Sequence, residues 1–85
     1  MHEAGVTERL LEVVVQHAHE ANARRVTDVY LEVGEESGID TGSVELHWPL
    51  LSRGSVAEGA SLHFDPSEAP FAFRLTSIEV DESGP

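Results

Sequence analysis

Eighty-five residues without a single cysteine must hold a fold together by packing alone. Neither a disulfide framework nor a thiolate zinc knot is available to staple the chain. A chain this short also buries a smaller share of its surface than a typical domain, so its core has to be economical. That leaves room for one sheet and about two helices in a single domain.

The apolar pattern fills that frame. From Ala4 to Ala23, Val6, Leu10, Leu11, Val14, Ala18 and Ala21 recur at three- and four-residue steps, as one side of a helix, while Glu8, Glu12, Gln16, His19 and Glu20 fall on the other. Glu20 stands four residues before Arg24, the favourable order for a surface ion pair. From Arg25 to Val33 the period changes to two, with Val29, Leu31 and Val33 on one face and Asp28, Tyr30 and Glu32 on the other. This strand stops at Gly34. After the turn-rich segment Glu35 to Gly38, Asp40 or Thr41 caps a second helix carrying Val44, Trp48 and Leu51. Pro49 lies inside that helix, and its missing donor predicts a kink or an early break.

Ala60, Leu62 and Phe64 alternate as a second strand, and Phe71 to Val80 as a third, joined by Asp65 to Pro70. In the third strand Phe73 and Leu75 share one parity and Ile78 and Val80 the other, so a bulge near Thr76-Ser77 is needed to keep all four on the core face. Asp81 to Pro85 reads as a frayed tail. The order helix, strand, helix, strand, strand predicts an α+β fold, a small mixed three-stranded sheet packed against two helices. It implies a crossover between the first two strands and a hairpin between the last two.

Charge narrows the function. Five arginines, no lysine and sixteen acidic residues give a net charge of −11, which repels phosphate backbones and anionic lipid headgroups and makes a cation the more natural guest. Nucleic-acid and membrane work are therefore not expected. No window approaches a membrane span, and Glu3 is unlike the start of a secretory signal, so the expected location is the cytoplasm. No glycine-rich phosphate loop, nucleophile elbow or His-Glu-x-x-His helix occurs, so no enzyme is expected.

Met1-His2-Glu3 is the most unusual local feature. A free amine, adjacent peptide nitrogens and an imidazole can close fused chelate rings around a metal, and planar all-nitrogen sets suit Ni(II) or Cu(II) better than Zn(II) or Mg(II). The tripeptide reads as a native terminus with Met1 retained. From spacing alone, however, an exposed terminal histidine is the more economical account. Asp40 is a second candidate, able to supply charge or an outer hydrogen bond to such a site, and able equally to serve only as a helix cap. His17 sits on the apolar side of the first helix as a core-edge residue, roughly 22 Å from His2 along a continuous helix. His19, His47 and His63 read as surface residues.

Several blocks carry a family resemblance: Met1-His2-Glu3, Leu10-Leu11, Arg25-Val26-Thr27, Val33-Gly34-Glu35-Glu36-Ser37-Gly38, Ala57-Glu58-Gly59-Ala60 and Leu75-Thr76-Ser77-Ile78-Glu79-Val80. Over nearly its whole length the chain resembles the HypA/HybF hydrogenase-maturation nickel metallochaperones. The resemblance implies that residues 1–85 form a single HypA-like nickel-binding domain. It further implies that His2 is the essential side-chain ligand for Ni(II), that the backbone nitrogens of His2 and Glu3 take part, and that Glu3 helps recognise the target. Asp40 then lies in the loop beside the nickel site. Implied partners are a HypB-like GTPase and a hydrogenase large subunit, or in some cases urease.

One departure is large. The family normally inserts a zinc domain built on two Cys-x-x-Cys pairs between the positions of Phe64 and Phe71, where this chain has only the Asp65 to Pro70 connector. No structural zinc is expected, and the shortened join is expected to close as a hairpin. The rival to nickel delivery is a metal-free interaction module that docks to the GTPase or hydrogenase subunit. A helix starting near Glu3 also points its positive end at the expected cation, a tension that Glu3, Glu8 and Asp40 are placed to offset.

Overall fold

The computed structural model describes residues 3–82. Helix α1 (Glu3–Glu20) buries Thr7, Leu10, Val14 and Ala18 along one stripe, the spacing that the periodicity predicts. Its end is set by Asn22, whose φ of 56° lies in the left-handed region and whose N–H donates to the His19 carbonyl at 3.0 Å. An asparagine here performs the turn that glycine usually supplies. Because the chain leaves the helix at this point, Arg24 falls in the first strand and the expected Glu20–Arg24 pair does not form. Glu20 instead approaches His17 at 3.7 Å, and both side chains are more than half exposed. His17 is thus a surface residue rather than a core-edge one.

Strand β1 (Ala23–Val33) is central, helix α2 (Thr41–Leu51) follows it, and strands β2 (Ser61–Pro66) and β3 (Phe73–Glu82) flank it. β2 runs parallel to β1 and β3 antiparallel, so the sheet is mixed, with spatial order β2-β1-β3. The three-stranded sheet and two helices agree with the expected α+β class. The hairpin does not. β2 and β3 do not pair with each other; Pro66 lies beside Val33 on one edge of β1 and Phe73 beside Val33 on the other.

Residues 67–72 therefore step around the end of β1. Ser67 N–H donates to the Val33 carbonyl, Gly34 N–H to Ala72 and Glu36 N–H to Pro70, at 3.0, 2.7 and 2.6 Å. Gly34 is where this wrap comes closest: a Cβ there would lie 2.3 Å from the carbonyl oxygens of Ala69 and Pro70. The same step leaves Phe71 outside the strand and 74 % exposed.

Pro49 neither stops α2 nor shortens it, for the helix continues to Leu51 and Ser52 N–H closes on the Trp48 carbonyl at 2.9 Å. Pro49 and Glu45, whose carbonyl loses its usual donor, are both solvent-exposed, so water can replace the missing bond. Val44 and Trp48 join Val14, Val26, Val29 and Leu31 in one core. Both helices thus meet the same face of the sheet.

The expected bulge is present: Tyr30 pairs with Ser77 and Leu31 with Leu75, leaving Thr76 as the extra residue. Phe73, Leu75, Ile78 and Val80 all pack against the core in consequence. A second shift, between Val26 and Asp28, lets Val26 and Val29 both be buried although they stand three positions apart, on opposite parities. β3 also extends through Asp81 and Glu82, which the sequence assigns to a frayed tail.

Candidate metal centre

The first residue of α1 meets the first turn of α2. Asp40 is the N-cap of α2, in extended conformation, and its Oδ1 accepts the Ser43 N–H at 3.2 Å. Asp40 N–H in turn donates to Glu3 Oε2 at 3.2 Å. Two helix N-termini, each the positive end of its dipole, therefore converge with one carboxylate apiece. Glu3 and Asp40 thus lie against the positive field where it is strongest, while Glu8 stays exposed further along α1.

Glu3 is also held through its backbone. Thr7, fully buried, donates its hydroxyl to the Glu3 carbonyl one turn earlier. A threonine four residues after Glu3, on the apolar stripe, was the available sequence signal for this support. Of the four expected site residues, the structure brings Glu3 and Asp40 into contact; Met1 and His2 lie outside the described residues. Among the described residues no group of three or more His, Cys, Asp or Glu comes together as a metal site.

The remaining histidines are spread out. His19 is exposed, as expected, and His47 donates from Nδ1 to the Ser43 carbonyl at 2.7 Å on α2. His63 is half-buried on the open face of the sheet, stacked on Tyr30 with ring centroids 4.6 Å apart. Its Nε2 lies 2.8 Å from Asp28 Oδ1. That hydrogen bond, with a smaller contribution from Thr27, holds the Asp28 carboxyl below the ordinary carboxylate value. Tyr30 donates its hydroxyl to Glu79 Oε1 at 2.9 Å, which stabilises the neutral phenol and raises its pKa above the ordinary value. The outward parity of Tyr30 and His63 was legible in the sequence, but their pairing required the strand register.

The chain matches the family model described as hydrogenase/urease nickel incorporation, metallochaperone, hypA, over residues 1–77. It is 44% identical over 69 residues to the hydrogenase maturation factor HypA of Escherichia coli strain K12, covering 81% of this chain and 60% of that protein. To its counterpart in Dehalococcoides mccartyi strain BAV1 it is 41% identical over 75 residues, covering 88% and 63%. The chain thus spans about three-fifths of the length of these relatives. In three dimensions it is similar to the solution structure of the Ni metallochaperone HypA from Helicobacter pylori, with a TM-score of 0.84 over 98% of this chain and 100% of that one. At 16% identity this likeness concerns the fold. No helix among the described residues is long and apolar enough to cross a membrane.

Proposed function

Because this chain belongs to the HypA family of nickel-incorporating metallochaperones, we propose that it carries Ni(II) at Met1-His2-Glu3 and delivers it for [NiFe]-hydrogenase maturation. The terminal amine, the peptide nitrogens of His2 and Glu3 and the His2 imidazole supply a planar nitrogen set suited to Ni(II). The observation that carries this reading is the contact between Glu3 and Asp40, which anchors the residue next to His2 and sets two carboxylates against two converging helix dipoles. Asp40 then acts as both cap and charge rather than as a direct ligand.

Such a site needs deprotonated ligands, so a partner with a competing ligand set can take the ion. By family resemblance the partners are a HypB-like GTPase and a hydrogenase large subunit, in the cytoplasm, with no catalysis by this chain. The reading includes no structural zinc, since the sequence offers no cysteine for a thiolate zinc knot.

A metal-free docking module is the second reading. It is favoured by Leu46 and Leu50, 76 % and 65 % exposed and one turn apart on α2. Titration of untagged protein with Ni(II) separates the two. The expected result is about one ion per chain with the visible absorption of a planar nitrogen site, abolished by His2→Ala and by an N-terminal extension. Binding unchanged in both variants would falsify the terminal chelate, and absence of stoichiometric binding in the untagged chain favours the docking module.

A further inference from the structure

β3 has β1 along one edge and, among the described residues, no strand along the other. Its ten residues contain neither proline nor lysine, two of the devices by which soluble proteins blunt an open edge. Read outward from the bulge, the strand is nearly a palindrome. Thr76 and Ser77 form the centre, Leu75 and Ile78 flank them, Arg74 and Glu79 come next, and Phe73 and Val80 follow.

In a regular strand this palindrome would be frustrated. Antiparallel pairing about its centre would set odd positions opposite even ones, and so core-facing residues opposite solvent-facing ones. The bulge at Thr76 shifts the phase by one residue and removes the conflict. Phe73, Leu75, Ile78 and Val80 all face the core, whereas Arg74 and Glu79 both reach the open face, where they bond Glu32 and Tyr30.

The backbone agrees. Gly34 N–H donates to the Ala72 carbonyl, so by alternation the main-chain groups of Phe73 and Leu75 point toward the free edge. Past the extra residue, the edge-facing groups belong to Ile78 and Val80.

We propose that this edge is a self-association surface on which a second copy of the chain pairs its β3 antiparallel to the first, about a two-fold axis passing between Thr76 and Ser77. Leu75 then meets Ile78 of the other copy, Phe73 meets Val80, and Arg74 meets Glu79, each contact occurring twice. The charge complementarity of Arg74 and Glu79 selects a second copy as the occupant. The incoming side chains also fill two grooves of about 410 Å³ each along the flank of α1. One is bounded by Val6, Leu10 and Val13 beside Leu75, the other by His17 and Ala21 beside Ile78. The net charge of −11 opposes association, but at physiological ionic strength the screening length of about 8 Å weakens that general repulsion more than a contact at hydrogen-bond distance.

Sedimentation equilibrium of the full chain at physiological salt tests this. Wild type is expected to form a dimer at sub-millimolar concentration. Arg74→Glu opposes two carboxylates and Glu79→Arg two guanidiniums, each weakening dimerisation by roughly ten- to a hundredfold. An equimolar mixture of the two variants restores association as a heterodimer, because position 74 of each copy then faces the opposite charge at position 79 of the other. Circular dichroism establishes that each variant is folded. Amide exchange in wild type supplies a measurement independent of the variants: protection at Leu75 and Ile78 rises with protein concentration. A wild type that stays monomeric, single variants that dimerise as wild type does, a mixture no tighter than its components, or exchange independent of concentration overturns the proposal.

Discussion

Gly34→Ala perturbs the point where the link between β2 and β3 passes around the end of β1. A methyl group there would stand 2.3 Å from the carbonyl oxygens of Ala69 and Pro70, more than an ångström inside the roughly 3.5 Å at which packed heavy atoms ordinarily rest. Gly34 is not among the glycines with positive φ, so the cost is steric and not conformational. Both obstacles are backbone atoms, and no rotamer change relieves them. The link must move away, which breaks the Gly34 to Ala72 and Glu36 to Pro70 hydrogen bonds. Each is worth about 1 kcal/mol net, and with some loss of packing at Phe73 the total comes to about 2–3 kcal/mol. For a domain of this size each kcal/mol moves the melting temperature by about 4–8 °C, so a drop of roughly 10–20 °C is expected by circular dichroism or calorimetry. Gly5→Ala is the matched control. A Cβ at Gly5 meets nothing within 4 Å, and alanine in an exposed helical position gains up to about 1 kcal/mol. A Gly34→Ala melt coincident with wild type would refute the role given to this crossing.

Other perturbations read the site and the open face. Asp40→Ala should cost about 1 kcal/mol through the lost Ser43 cap, whereas Asp40→Asn should keep the stability and weaken only nickel affinity. Nickel affinity, followed calorimetrically, should fall sharply from pH 8 to pH 6, since free amines and imidazoles titrate near 8 and near 6.5 whereas carboxylates are already ionised; a flat profile would assign the binding to diffuse acidic attraction. Tyr30 is the sole tyrosine, so its ultraviolet titration should report ionisation above the ordinary value of 10.0, and Glu79→Gln should lower it. Its raised folded pKa means that its contribution to stability is present below the unfolded value and is lost as pH rises through the folded one. For Asp28 the sign reverses: its contribution is present above 3.8 and is lost as pH falls through the lower folded value. His63→Ala should move the carbon-13 titration of the Asp28 carboxyl upward, and an unchanged curve would remove the imidazole as its cause.

Everything the sequence determined is carried by residues close together in the chain. The stripe Leu10, Val14 and Ala18 on α1, the alternation of Val29 and Leu31, the Asp40 cap and the bulge at Thr76 are periodicities and local hydrogen bonds, written within a few turns or pleats. Asn22 ended α1 with a weaker version of the same kind of signal, one residue in the left-handed region. The family blocks, from Met1-His2-Glu3 to Leu75-Thr76-Ser77-Ile78-Glu79-Val80, were legible for the same reason. Strand order was not, because a short polar connector serves equally well to close a hairpin or to step around a neighbouring strand. Only the packed sheet, with Val26, Val29 and Leu31 fully covered between two flanking strands, made β1 central and left β2 and β3 as edges. That choice gave Gly34 its steric role, paired His63 with Asp28 and Tyr30, and opened the edge of β3. The Glu3–Asp40 contact, across 37 positions of sequence, likewise depends on α1 and α2 packing with their N-termini together, and no local pattern in either helix encodes that distance.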